Sequence, residues 1–433
     1  MRILGVVVFA VVVAGCSTGT GEVVTAAGTP SAEPGLSSVR APESTTSVPP
    51  SAATPTPSSA PSISPGQRAS TPAAAGSASG SPSVAKVARV TRPATPSRSV
   101  AQPPAGSPGT GRVSVPADGR PVDTSRPSRV IGTGTPASCT SAAVVAAVAA
   151  GGIITFDCGP APVTIRMTAT AKVRNANTRT VLDGGGRVTL SGGGSRRILY
   201  QNTCDQAQGW TSTRCQDQLT PSLVVQNLTL TEGNSTGQTA EGGGGGAIFV
   251  RGGRLTVINS RFTGNRCDAS GPDVGGAAIR MLHEARSTTA LIVGSSFTGG
   301  RCSNGGALSS IGTWWTVVNS VFRDNTVTGR GANPARSGTP GGGSGGAIYM
   351  DGNTIRLDLR GSVLEDNTAP EGGGALFFVS NDRTGTASLA ASTLRRNPSK
   401  GFETAGLPGI FFLGARPPSL TAGTTLTPAS AGG

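Results

Sequence analysis

Gly305-Gly306-Ala307-Leu308-Ser309-Ser310-Ile311-Gly312-Thr313-Trp314-Trp315-Thr316-Val317-Val318-Asn319-Ser320-Val321-Phe322-Arg323-Asp324-Asn325 is the stretch that decides the fold. It opens on Gly-Gly-Ala plus an aliphatic residue. It closes on Ser, any residue, Phe or Leu, two residues and Asn. The opening recurs at Gly245-Gly246-Ala247-Ile248, Gly275-Gly276-Ala277-Ala278, Gly345-Gly346-Ala347-Ile348 and Gly373-Gly374-Ala375-Leu376. The close recurs at Ser260…Phe262…Asn265, Ser295…Phe297, Ser362…Leu364…Asn367 and Ser392…Leu394…Asn397. A period of roughly 25–42 residues built from glycine and β-type residues marks a solenoid.

Aligning the copies on the Phe or Leu anchor gives columns. Seven residues before it lie Leu255, Ala290, Trp315, Leu357 and Ala387; five before it lie Val257, Ile292, Val317, Leu359 and Leu389. Two apolar columns spaced two apart face one side of a strand, so both point inward. The Ser and Asn columns read as ladders that satisfy backbone groups at the bends. No helical segments separate the short β runs, so each strand stacks on its counterpart one turn later. The expected fold is all-β: a right-handed, single-chain parallel β-helix solenoid. Further strands are expected at Ile153–Phe156, Val163–Met167, Arg179–Leu182, Arg187–Leu190, Ile198–Gln201 and Leu223–Leu230.

Working outward, Thr140 and Ser141 offer N-cap oxygens to a short apolar helix over Ala142–Ala150, which Gly151-Gly152 ends. Such a helix caps the first coil and covers its open edge. Residues 17–128 are rich in Pro, Ser, Ala and Thr and lack the apolar surface to order themselves, so they read as a disordered tether. At about 3.1 Å per residue in an extended polyproline form, such a tether would reach a few hundred Å. Arg2 and the apolar run Ile3–Val13 form a secretion signal too short to span a bilayer. Val13-Ala14-Gly15-Cys16 then matches a lipobox, with Cys16 as the lipidated residue. The expected organisation is 1–16 signal peptide, 17–128 tether, 129–415 β-helix and 416–433 flexible tail.

Six cysteines remain after the linker, an even count that favours disulfides in an exported domain. Cys267 and Cys302 each lie five residues after an anchor, on consecutive coils about 4.8 Å apart, within disulfide reach. Cys204–Cys215 and Cys139–Cys158 follow as local pairs. A metal site is the alternative, but no Cys-x-x-Cys or His cluster supports it.

The Gly-Gly-Ala-Ile and Phe-x-x-Asn repeats resemble those of polymorphic outer-membrane proteins among bacterial autotransporters, where such motifs are implicated in adhesion. The opening Cys139-Thr140-Ser141-Ala142-Ala143, then Gly151-Gly152-Ile153-Ile154-Thr155-Phe156-Asp157-Cys158, then Thr180-Val181-Leu182-Asp183-Gly184-Gly185-Gly186, is similar to secreted bacterial β-helix proteins of the pectin-lyase-like fold class. The resemblance spans about residues 137–415 and implies the fold; that fold hosts lyases, hydrolases, adhesins and scaffolds. No translocator barrel follows Leu413 in the sequence, so anchorage is expected to pass to Cys16.

The formal charge of +14 draws such a domain to acidic polymers or head groups, or is a scattered solvated surface. Nucleic acid is not expected, because aromatic and basic residues do not cluster. A lyase of this fold would need a base beside carboxylate-bound calcium, and a glycosidase two carboxylates. The candidates are Asp324, Glu365 and Asp366 with Arg396, which fall on successive coils beside Arg323 and Arg395. The same charges also read as a cross-coil ion-pair ladder. Trp314 must point outward because Trp315 points in. It is a candidate sugar-stacking residue unless the insertion Gly331–Gly343, entered at Arg330, shields it. That insertion brings Arg330 and Arg336 and is expected to overhang the flank. His283, the only histidine, sits in a turn, and Asp183 reads as a turn former. No metal site or cofactor is expected; Ca2+ enters only under the lyase alternative.

The leading expectation is a non-enzymatic, exported surface protein, monomeric and either lipid-anchored facing outward or secreted, whose β-helix serves adhesion or binds surface polysaccharide or a host or cell-surface glycan. A polysaccharide lyase or hydrolase acting on an acidic polysaccharide is the alternative, and a purely structural envelope protein a third.

Overall fold

A computed structural model describes residues 113–238, 242–282, 289–421 and 423–429. Residues 1–112, including Cys16 and the stretches read above as signal and tether, and His283 lie outside the described residues.

Three long sheets of ten, nine and eight strands run the length of the domain, and every pairing between their strands is parallel. In each sheet the strand order follows the chain order. One coil shows why. Trp314–Val318 belongs to the ten-stranded sheet, Val321–Arg323 to the nine-stranded sheet and Ile348–Gly352 to the eight-stranded sheet. The chain then returns to the ten-stranded sheet at Arg356–Arg360, one turn on. This is a parallel β-helix.

The inward columns form the core. Leu255, Trp315, Leu357, Val257, Ile292, Val317, Leu359 and Leu389 are all at most 1% exposed. The anchor column extends beyond the repeats visible in sequence: Ile165, Leu190, Leu230, Phe262, Phe297, Phe322, Leu364, Leu394 and Leu426 stack in register. The rings of Phe262, Phe297 and Phe322 lie face to face, with centroids 4.6 and 4.8 Å apart.

The Gly-Gly-Ala motif leads into five consecutive strands of the eight-stranded sheet, from Ile248–Arg251 to Leu376–Ser380. Gly305 adopts φ +53°, which disfavours a side chain. A Cβ built on Gly306 would collide with the carbonyl oxygen of Gly346 on the next coil. One glycine makes the turn and the other admits the neighbouring backbone. The copy at Gly275 is displaced by one residue: Ile279 pairs with Leu308, so Ala277 stands where the next coil has Gly306.

Both polar ladders are present. Each serine hydroxyl donates to the carbonyl two residues back, as Ser320 does to Val318 at 3.0 Å, and accepts a backbone N–H from the preceding coil, as from Ser295 at 3.2 Å. Asn325 donates through Nδ2 to Asn367 Oδ1 at 2.8 Å, and Asn367 does the same to Asn397. The serines are fully hydrogen-bonded structural groups.

The cap helix is Ser141–Ala150, with the Thr140 hydroxyl accepting from Ala143 N–H and Gly151 closing it at φ +69°. Val144, Ala147 and Val148 pack into the core. The three disulfides are Cys139–Cys158, Cys204–Cys215 and Cys267–Cys302, with Cα separations of 5.7, 4.9 and 4.7 Å. They fit an oxidising, extracellular-type environment. No described helix is long and apolar enough to cross a membrane.

Three expectations are corrected. Leu223–Leu230 is two strands in different sheets, Ser222–Gln226 and Thr229–Thr231, because Asn227 at φ 50° bends the chain between them. The segment assigned to a flexible tail adds two strands, Ser419–Leu420 and Thr425–Thr427, at the ends of the ten- and nine-stranded sheets. Residues 113–128, assigned to the tether, pack on the outer face of the ten-stranded sheet. There Val113 and Val115 join Leu291, Val293 and Val318, while Val122 joins Val181, Val224 and Ile258. The physical reason is the surface beneath: the sheet presents outward aliphatic side chains that these valines cover.

Candidate functional site

The charged column after the anchors is built as a closed ion-pair cluster. Glu365, whose side chain is 1% exposed, receives Arg323 on one carboxylate oxygen and Arg395 (2.6 Å) and Arg396 (3.2 Å) on the other. Arg396 also holds Asp366 through Nε and Nη2, both at 2.7 Å. Burial alone would raise the Glu365 carboxyl, but the hydrogen bonds from Arg323 and Arg395 outweigh it and hold the group below its ordinary range. The Arg396 contact lowers Asp366 as well. Asp324 is exposed in a left-handed turn at φ 57° and joins no ion pair among the described residues. The column therefore does not bring Asp324, Glu365 and Asp366 together as a ligand set. Among the described residues no three His, Cys, Asp or Glu side chains are placed to hold a metal ion.

The insertion does not overhang Trp314. It folds over the outer face of the eight-stranded sheet, where Arg336 forms a two-pronged pair with Glu371 at 3.0 and 2.9 Å. Burial pushes Glu371 up, and the bonds from Arg336 and the Gly331 N–H pull it below its usual value. Arg330 is exposed at the base of the insertion. Asn333 Nδ2 lies 2.6 Å from the Tyr349 hydroxyl and 3.1 and 3.2 Å from the carboxylates of Asp273 and Asp351. Burial raises both Tyr349 and Asp351 above their ordinary values. Beneath them lies Arg280, fully buried and donating to Ser309 Oγ and the Asp273 carbonyl. Burial pulls its guanidinium down to about 10, still protonated at neutral pH.

These shifts carry opposite signs. Glu365, Asp366 and Glu371 are depressed, so their stabilisation is present above the ordinary carboxyl values of 4.5 and 3.8 and is lost as pH falls through the lower folded values. Asp351 is raised, so its ionisation works against folding as pH rises through its folded value. We expect the thermal midpoint to fall steeply on acidification below about 4.5, and Glu365→Gln to flatten that fall. Circular dichroism melts at a series of pH values read this directly.

An open site lies elsewhere, on the outer face of the ten-stranded sheet. Strand register places Arg179, Ser222, Arg254, Thr289, Trp314 and Arg356 in one outward row, one residue per coil. Arg179, Arg254 and Arg356 are exposed, with no ion pair or side-chain hydrogen bond among the described residues. Trp314 is half-buried in this row, its indole N–H donating to the Thr354 carbonyl at 2.9 Å. Over the first four positions the sheet becomes the floor of a groove of about 670 Å³. Asp118 and Val122 line one side; Leu219 and Thr220, beyond the Cys204–Cys215 disulfide, line the other. Trp210 stands 38% exposed within that disulfide loop.

Compared with known proteins, the chain matches no family model, no curated protein and no solved structure. Function is therefore argued from the groove itself.

Sequence alignment on the anchors already contains this row. It is the column eight residues before each anchor, adjacent to the inward column, and only its Trp314 stands out by residue type. Arg179 and Ser222 belong to degenerate coils, and the groove's wall at Asp118 and Val122 has no sequence signal beyond its valines.

Proposed function

We propose that the chain is a non-enzymatic surface-display protein whose β-helix binds an acidic carbohydrate along the outer face of the ten-stranded sheet. The lipobox at Cys16 supports an outward-facing membrane anchor, with residues 17–112 as the tether. The observation that carries the binding reading is the row Arg179, Arg254 and Arg356, whose guanidiniums have no protein partner among the described residues while Ser222 and Thr289 supply hydroxyls between them. Free guanidiniums are suited to carboxylate and sulfate groups, and successive positions rise about 4.8 Å, close to one sugar unit. Exposed Trp210 and half-exposed Trp314 offer apolar faces to sugar rings.

Calorimetric titration with uronic-acid and sulfated oligosaccharides tests this. The double variant Arg179→Ala/Arg254→Ala is expected to weaken binding by about 10–100-fold, from the loss of two charge-assisted contacts. Binding is also expected to weaken as salt rises. Wild-type affinity unaffected by either change rejects the groove as the site.

A second reading, a polysaccharide hydrolase or lyase, draws on a different observation: Asp273 and Asp351 are joined through Asn333, and Asp351 is held toward its protonated form. Release of shortened or unsaturated products, abolished by Asp351→Asn, would favour it over simple binding.

A further inference from the structure

The groove's Asp118–Val122 wall is not part of the coils. It is the segment 113–124, which crosses the ten-stranded sheet from the coil of Asn319 to the coils of Gln226 and Asp183. Two side-chain amides clip it down in the manner of a β-bridge. Asn319 accepts the Val113 N–H at 3.0 Å and donates to the Val113 carbonyl at 2.8 Å. Gln226 accepts the Val122 N–H at 2.9 Å and donates to the Val122 carbonyl at 3.0 Å. Thr124 then bonds Asp183 at 2.8 Å. Between Val113 and Val122 the only backbone hydrogen bonds among the described residues are internal, Gly119 to Pro116 and Arg120 to Ala117. A second hollow of about 580 Å³ opens between the segment's far end and Asp183.

The face beneath is unusual for the outside of a solenoid. Val181, Val224, Ile258, Leu291, Val293 and Val318 point away from the core, yet each is at most 4% exposed, with valines of the segment packed on them. The coils keep all their own hydrogen bonds whether or not the segment is seated, because its clips are side chains. The two parts are thus separable in energy: one is a continuous ladder of three sheets, the other a few valines and five hydrogen bonds to three coil side chains.

We propose that Val113–Thr124 is a hinged strap: it lifts from the sheet as one unit while the coils stay intact, removing a wall of the groove and baring six aliphatic side chains. Its hinge is Ser125–Ser128, ahead of the first strand at Arg129, where the Ser128 N–H is held by the Ile153 carbonyl. In sequence residues 1–112 precede Val113, so a pull on them is applied at the strap's first residue. The effect on ligand rests on the carbohydrate-binding reading; the lifting itself does not.

Hydrogen exchange on the full chain tests the lifting. Val115→Ser/Val122→Ser alters the strap and leaves every coil residue unchanged. Asn319→Gly removes one clip and keeps the left-handed backbone at that position, φ 50°. Both are expected to raise exchange at the Val113 and Val122 amides about tenfold or more, from lost apolar burial or a lost clip. The amides of Arg254–Ile258 should stay protected, and the fluorescence of a hydrophobic dye should rise as the strip is uncovered. Unchanged strap exchange, or loss of protection at Arg254–Ile258 together with the strap, overturns the proposal, and so does an unchanged dye signal. Titration with a uronic-acid oligosaccharide separates the two readings. Weaker binding by the strap variants supports the strap as the groove's wall. A wild type that binds no such oligosaccharide rejects the carbohydrate reading, and exchange and dye still decide the strap.

Discussion

Gly306→Ala is expected to lower the unfolding midpoint by several degrees or more, although it adds one methyl group. The added Cβ would collide with the Gly346 carbonyl oxygen and would lie 2.9 Å from the Asn325 Cβ and the Thr326 nitrogen. The first contact is backbone on the next coil, so relief requires that coil to move, and close-packed interiors resist such shifts. A cost of about 3 kcal/mol is the scale for overpacking of this kind. At roughly 2–4 °C per kcal/mol for a domain of this size, the midpoint falls by about 6–12 °C. The preceding coil supplies the control. Ala277 occupies the equivalent position, and its methyl is buried beside Cys267, Cys302 and Val274. Ala277→Gly is therefore expected to change the midpoint far less than Gly306→Ala. Equal effects at the two sites would mean that coil contact does not set the glycine requirement. Thermal melts of the two variants beside wild type decide it.

This contrast shows which parts of the molecule were legible in sequence. Inward columns were legible because a strand repeats every two residues and a coil repeats its anchor, so Val257, Ile292 and Val317 identify one another. The Cys267–Cys302 pair followed from the same register. The strap was not legible, since its proline, serine and arginine match residues 17–112 upstream, and its Val113, Val115 and Val122 have counterparts there at Val84, Val87 and Val90. The insertion was visible as extra length, but its direction was set by contacts far apart in the chain, Arg336 with Glu371 and Asn333 with Tyr349. Pairing partners chosen across coils of unequal length cannot be read from spacing. The outward row lay next to an inward column already aligned. It needed the register of the degenerate coils at Arg179 and Ser222 before it became a continuous surface.

Asn367→Ala is expected to be among the most damaging single changes at a polar position, because one buried amide serves several partners. Its Oδ1 accepts the Asn325 N–H at 3.1 Å and Asn325 Nδ2 at 2.8 Å, and its Nδ2 donates to the Phe322 carbonyl at 3.0 Å and Asn397 Oδ1 at 2.8 Å. The residue is 0% exposed, so water cannot replace these contacts without opening the turn. Each stranded buried group costs about 1–3 kcal/mol, and partial relaxation leaves a net loss of about 3–4 kcal/mol. The ladder has one natural gap, at Gly300, where the asparagine position after Phe297 is vacant. That gap lies two residues before Cys302, whose disulfide to Cys267 joins the same two coils, and beside the short pairing of Arg301–Cys302 with Thr326–Val327. Covalent and backbone links thus stand in where the amide is missing. Among the described residues the Asn265 side chain bonds only the Gly233 N–H and the Leu230 carbonyl, and it sits next to that disulfide, so Asn265→Ala is expected to cost about half as much as Asn367→Ala. Reducing the disulfides should narrow the difference, since the coil at Asn265 then loses its staple. Denaturant titrations of both variants, oxidised and reduced, measure this. Equal destabilisation in the oxidised state would show that the ladder acts residue by residue and that the disulfide does not substitute for it.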